Sequence, residues 1–147
     1  MRLLCREGHL TPLLAELAVH RLDLVSADRP MPNNLNVRGY SLFLGESDLT
    51  VFAAPDLARS LTGSFPALLD RAPFLLPWDD VAFRPGLMRW FEAQHVYPRI
   101  VGEFEDSALL KAFGRAGAGL FVSPTAIAVV VQARQHGLFG RPPRAEA

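Results

Sequence analysis

The sequence has 147 residues, 50% of them hydrophobic and 20% charged, with Lys+Arg and Asp+Glu equal at 15 each. This composition suits one ordinary domain or two small lobes and excludes an intrinsically disordered chain. A net charge of zero with scattered arginines excludes a broad basic surface for wrapping nucleic acid, and no apolar run approaches the ~20 residues of a membrane helix.

Cys5 is the sole cysteine, so no internal disulfide forms. Its place in the run Leu3-Leu4-Cys5 predicts a buried strand thiol rather than a catalytic one, because no activating partner stands in a motif. The N-terminus lacks a basic region followed by a long apolar core, so no secretory signal is expected and the cytoplasm is the expected location.

In chain order, residues 2–6 read as a strand with nothing before it. Thr11-Pro12 then opens a helix, with the threonine as N-cap and an apolar face of Leu13, Leu14, Leu17, Ala18 and Leu22. Residues 24–27 read as a buried strand, so the first 28 residues spell a βαβ unit. A loop rich in proline and asparagine follows from Asp28 to Asn36. Strands are predicted over 37–46 and 49–54, a short helix from Pro55 through Leu61, and a helical turn over 65–69. Next come a strand over 74–76, a helix over 85–94 facing inward through Leu87, Met88, Trp90 and Phe91, and a strand over 100–104. Asp106 is placed to cap a helix carrying Leu109, Leu110 and Phe113, which Gly114, Gly117 and Gly119 end. A strand over 120–122, a helix over 125–135 and a frayed tail over 141–147 complete the chain. Strands alternating with helices make the fold class α/β.

Few constellations suggest chemistry. Gly114-Arg115-Ala116-Gly117-Ala118-Gly119 follows a helix and precedes a strand, the reverse of a phosphate loop, so it reads as a helix C-cap. His9, His20, His95 and His136 form no metal-ligand spacing, so no metal site is expected. Ser47 lies outside any nucleophile elbow. No catalytic residue and no cofactor is expected. The acidic residues are more informative. Asp28, the pair Asp79 and Asp80, and the group Glu105, Asp106 and Ser107 each follow a predicted strand. In open parallel α/β sheets ligands bind at such carboxyl ends. For Asp106 helix capping is by itself a sufficient reason. Acidic groups facing a cleft favour a cation or a hydrogen-bond donor as ligand, unless Arg29 or Arg84 offsets them.

Several segments together resemble the effector-binding domain of LysR-type transcriptional regulators. Leu13 to Asp28 resembles that family's helix followed by Asp-Leu-Val. Phe104 to Pro124 resembles its helix ending in Ala-Gly-Ala-Gly, then a strand, then proline. Phe74-Leu75-Leu76-Pro77 matches the strand before the central pocket loop. Met31-Pro32 to Tyr40, Leu44-Gly45-Glu46-Ser47 and Phe52-Ala53-Ala54-Pro55 resemble the NhaR-like subgroup, activators of sodium/proton antiporter genes. The likeness runs from about Arg2 to Ala128 and ends near Gln132.

The resemblance implies a fold like type 2 periplasmic binding proteins, with two lobes around an effector cleft. Lobe I would comprise about 1–40 and 120–140, and lobe II about 45–117. Asp28, Arg29, Trp78, Asp79, Asp80, Ser107 and Pro124 would line the cleft and bind a small-molecule or ion effector. Packing of Trp78 in the core is the alternative. The family's winged helix-turn-helix, its linker helix, and the first strand and helix of lobe I have no counterpart in this sequence. The expectation is therefore a truncated domain with no direct DNA binding and no membrane contact. It would form a homo-oligomer or a heterodimer with an intact regulator. A solute-binding or enzymatic domain on the same fold, and an interaction module that sequesters an intact regulator, are the competing readings.

Overall fold

The computed structural model describes residues 2–35, 37–125 and 138–139. The chain divides into two compact units, with the boundary between Gly45 and Glu46.

In the first unit the regular element is helix α1, Leu10–Ala18, which buries Leu14. Its N-cap is His9 rather than Thr11, and no side chain caps it. The Leu13 N–H donates to the His9 carbonyl at 3.2 Å, so the first helical bond closes on His9. Thr11 and Pro12 then fall in the first turn, where the N–H that proline lacks has no intrahelical partner anyway. Residues 2–9, 21–35 and 37–48 carry no strand. The strands expected over 2–6, 24–27 and 37–46 are therefore not formed among the described residues, and Cys5 is exposed rather than buried. Leu3, Leu4, Leu24, Leu42, Phe43 and Leu44 are all more than three-quarters exposed. An apolar run becomes a strand only when a neighbour supplies lateral hydrogen bonds. Among the described residues none does so here.

The second unit begins with strand β1, Leu49–Phe52, and helix α2, Pro55–Ser60, with proline at its first position. A single 3-10 turn, Ala67–Leu69, leads to strand β2, Pro73–Pro77. Helix α3, Arg84–Ala93, strand β3, Arg99–Phe104, and helix α4, Ser107–Arg115, follow. Strand β4, Phe121–Pro124, and strand β5, Leu138–Phe139, complete the elements. The helix expected over 125–135 and the tail over 141–147 lie outside the described residues, apart from Thr125.

β2 and β3 pair in parallel, as a helical crossover requires. β1 pairs antiparallel with β4 and with β5. The two sheets are joined at Leu120, whose N–H donates to the Pro73 carbonyl at 2.8 Å while its carbonyl accepts from Leu75 N at 2.7 Å. That bridge is parallel, so β4 runs in the same direction as β2. β2 is consequently bonded on both edges and apolar on both faces. Phe74 and Leu76 pack with Leu87 and Phe91 of α3. Leu75 packs with Leu110 of α4 and with Phe121 and Phe52. Phe74 meets Phe91 edge-on, with ring centroids 5.2 Å apart. The inward face of α3 is thus narrower than its sequence suggested, because Met88 is exposed. On α4, Leu110 and Gly114 face inward while Leu109 and Phe113 are about half exposed.

Three of the helices, α1, α3 and α4, end in the same way. After α3, His95 N–H donates to the Glu92 carbonyl and Val96 N–H to the Phe91 carbonyl, both at 3.0 Å. His95 adopts a φ of 53° to permit this. The same pair of bonds forms after α1 around His20 and after α4 around Gly117, whose φ is 84°. This is the Schellman arrangement, which satisfies otherwise orphaned carbonyls. Two histidines therefore hold positions that glycine occupies most easily, which accounts for them without ligand chemistry.

Two opposite outcomes follow. A Cβ on Gly114 would lie 2.3 Å from the Phe121 ring, so α4 sits against β4 only because that Cβ is missing. Gly114→Ala should lower stability to urea by about 1–2 kcal/mol, although helix propensity alone would raise it by about 1 kcal/mol. His95→Gly touches no packing and relieves a left-handed backbone, so it should raise stability by about 1 kcal/mol in the same assay.

Candidate functional site

The carboxyl ends of β2, β3 and β4 point the same way, because all three strands are parallel to one another. Of the seven residues expected to bind effector, five stand at these ends. Trp78, Asp79 and Asp80 leave β2, Ser107 opens α4 just beyond β3, and Pro124 closes β4. The backbone holds this edge firmly. Trp78 N–H donates to the Phe104 carbonyl at 2.8 Å, and the Trp78 carbonyl accepts from Val81 N at 3.2 Å. The Trp78 side chain is 44% exposed, outside the hydrophobic core.

Asp28 and Arg29 belong to the first unit. The Arg29 Nε donates to Asp28 Oδ1 at 3.0 Å, and both side chains are substantially exposed.

The central cation at the strand ends is Arg84, the first residue of α3. Its Nε lies 3.0 Å from Asp79 Oδ1, and its Nη1 lies 3.1 Å from Glu103 Oε2 and also donates to the Pro77 carbonyl. One guanidinium thus ties the end of β2, the loop after it and β3. Its side chain is 14% exposed, against 77% for Asp79 and 41% for Glu103. Sequence reasoning weighed Arg84 only as an offset to the acids and missed this role. A signal was present: a cation at the first position of a helix opposes the helix dipole, so something else must hold it there.

Asp106 is a helix cap. Its Oδ1 accepts from Ala108 N at 2.6 Å and from Leu109 N at 3.1 Å. Those bonds aim the first turn of α4, and with it Ser107, past the end of β3. Among the described residues no three His, Cys, Asp or Glu side chains are placed to hold a metal ion. An open depression lined by Ser60, Thr62, Asp70 and Arg71 lies at the opposite, amino end of β2.

Because Asp79 and Glu103 are well exposed, their ion pairs with Arg84 contribute little to stability; the bond to the Pro77 carbonyl is the larger loss on removing the guanidinium. Arg84→Met should therefore cost about 1–2 kcal/mol in urea denaturation and shift the emission of Trp78. Arg84→Lys should recover less than half, since an ammonium cannot reproduce the fork.

Comparison with known proteins places this geometry. The profile of the LysR substrate binding domain matches residues 1–143. The transcriptional activator protein NhaR of Escherichia coli strain K12 is 31% identical over 125 residues, covering 85% of this chain and 40% of that protein. The NhaR protein of Shigella flexneri matches equally. The chain therefore spans 40% of the length of these curated relatives. Among solved structures, the LysR family transcriptional regulator VV2_1132 superposes with a TM-score of 0.63 at 17% identity, covering 90% of this chain and 44% of that one. HinK, a LysR family transcriptional regulator from Pseudomonas aeruginosa, gives 0.54 at 17% identity over 81% and 40%. These structures share the fold of LysR effector domains, which is that of type 2 periplasmic binding proteins. The chain belongs to the LysR substrate-binding domain family.

Proposed function

We propose that this chain is the effector-sensing domain of an NhaR-like transcriptional activator. It takes a small-molecule or ion effector at the carboxyl ends of β2, β3 and β4. The observation that carries the proposal is the 31% identity to NhaR over 85% of the chain. The gathering of Trp78, Asp79, Asp80, Ser107 and Pro124 at one end of the parallel strands supports it. In this reading about 1–40 and 120–140 form one lobe and about 45–117 the other. The site binds and does not catalyse. No described helix is long and apolar enough to cross a membrane. The proposed place of action is the cytoplasm.

Asp79, Asp80 and Glu105 give this end a negative character, and Arg84 is already engaged by Asp79 and Glu103. Such a surface favours a cation or a ligand rich in hydrogen-bond donors. Sodium is the first probe that the family suggests. Titration of sodium chloride against potassium chloride at constant ionic strength, followed by tryptophan fluorescence, should show a saturable change specific to sodium. Asp79→Asn should weaken it about tenfold, equivalent to ~1.4 kcal/mol. Identical sodium and potassium curves would rule out sodium as the effector. The chain alone should not retard a promoter fragment in a gel shift; sequence-specific retardation would overturn the assignment.

A second reading, association with a regulator, is favoured by exposed apolar side chains. Tyr97, Ile100, Val101, Leu109 and Phe113 are all more than a third exposed in the second unit. Where such side chains form one contiguous patch, the patch marks an interaction site. The chain should elute as an oligomer on size-exclusion chromatography, or be retained by a co-expressed intact regulator. A monomer that captures no regulator at micromolar concentration would remove this reading.

A further inference from the structure

The face of the β1–β4 ladder that carries Phe52 and Phe121 also carries hydroxyl groups. Thr50 lies opposite Ser123 in the register, and Thr125 follows two residues after Ser123, so all three side chains share that face. They are not there by default. The stacked Phe52 and Phe121 rings, with centroids 5.4 Å apart, show that this face is otherwise apolar. Thr50 is 2% exposed and Ser123 is 1% exposed.

The hydrogen bonding of the three is uneven. Thr50 Oγ1 lies 2.8 Å from Thr125 Oγ1. Ser123 Oγ is buried and has no hydrogen-bond partner among the described residues. The ladder explains why it misses Thr50. Thr125 N–H donates to the Asp48 carbonyl at 2.7 Å, which makes 48 and 125 a hydrogen-bonded pair. By alternation 50 and 123 form the next such pair, whose Cα atoms stand about 5.5 Å apart rather than about 4.5 Å. Across the wider spacing the short serine does not reach, and threonine bonds diagonally instead. A buried hydroxyl left unpaired costs about 1–3 kcal/mol, so this position calls for a ligand.

We infer that Thr50, Ser123 and Thr125 form a buried site for one water molecule that bridges β1 and β4. Each hydroxyl can donate or accept, which meets the two to four polar partners that a buried water requires. The water ties the two strands on the side-chain face, next to Pro124. This inference stands on the ladder alone and does not depend on the effector site.

A crystal structure of the full chain at about 1.5 Å resolution should show a water within hydrogen-bonding distance of Ser123 Oγ and of Thr50 or Thr125. Ser123 Oγ bonded to no water, or bonded directly to protein, would overturn the inference. Ser123→Ala should lower the melting temperature by about 3 °C, because the bridge loses an anchor. An unchanged or raised melting temperature would also overturn it, because deleting a merely unsatisfied hydroxyl relieves a penalty. Should that variant fail to fold, the crystal structure of the unaltered chain still decides.

Discussion

Five residues, Pro73–Pro77, carry the second unit. β2 is hydrogen-bonded to β3 on one edge and to Leu120 on the other, and it buries side chains on both faces. A strand enclosed on four sides has no solvent-facing alternative, so its register fixes its neighbours. Phe74 and Leu76 position α3, and Leu75 positions α4 together with Phe121. The close approach at Gly114 then sets how near α4 lies to β4. Where β2 stops, Trp78, Asp79 and Asp80 must emerge, and they emerge beside the ends of two other parallel strands.

The polar end of this arrangement depends on different physics from the core. Burial holds β2 in place, whereas the loop after it is held by directed bonds: Trp78 N–H to the Phe104 carbonyl, and the Arg84 guanidinium to Pro77, Asp79 and Glu103. An exposed loop gains little from packing, so hydrogen bonds anchored in the partly buried Arg84 give it a defined conformation. Asp106 does the same for the first turn of α4. A ligand meeting this end would find groups already oriented, which reduces the ordering cost of binding.

The first unit shows what happens without such enclosure. Leu3, Leu4 and Leu24 have the apolarity of strand residues, yet no ladder forms around them among the described residues. α1 does form, because its hydrogen bonds close within the segment and its C-terminal carbonyls are satisfied locally by the turn around His20. The contrast is between elements that complete their own backbone bonding and elements that need a neighbour.

That contrast also separates what could be read in the sequence from what could not. The helices at α2, α3 and α4, the strands at 73–77 and 99–104, the capping by Asp106 and the glycine turn after α4 follow from local pattern and local chemistry. So did the position of Trp78, Asp79, Asp80 and Ser107 just beyond strand ends, since strand followed by helix fixes that place along the chain. The family likeness was legible for the same reason, being a matter of motif order. The bonding of Arg84 to three partners was not, because Glu103 stands nineteen residues away and only the parallel register of β2 and β3 brings it near. The exposure of Cys5 and the unpartnered hydroxyl of Ser123 were hidden likewise, because both depend on which strands find lateral partners. Sequence alone determined the elements whose hydrogen bonds close locally, and the order in which they occur. Only the tertiary structure decided which strands pair and which side chains meet across them, because those bonds join residues that no local pattern relates.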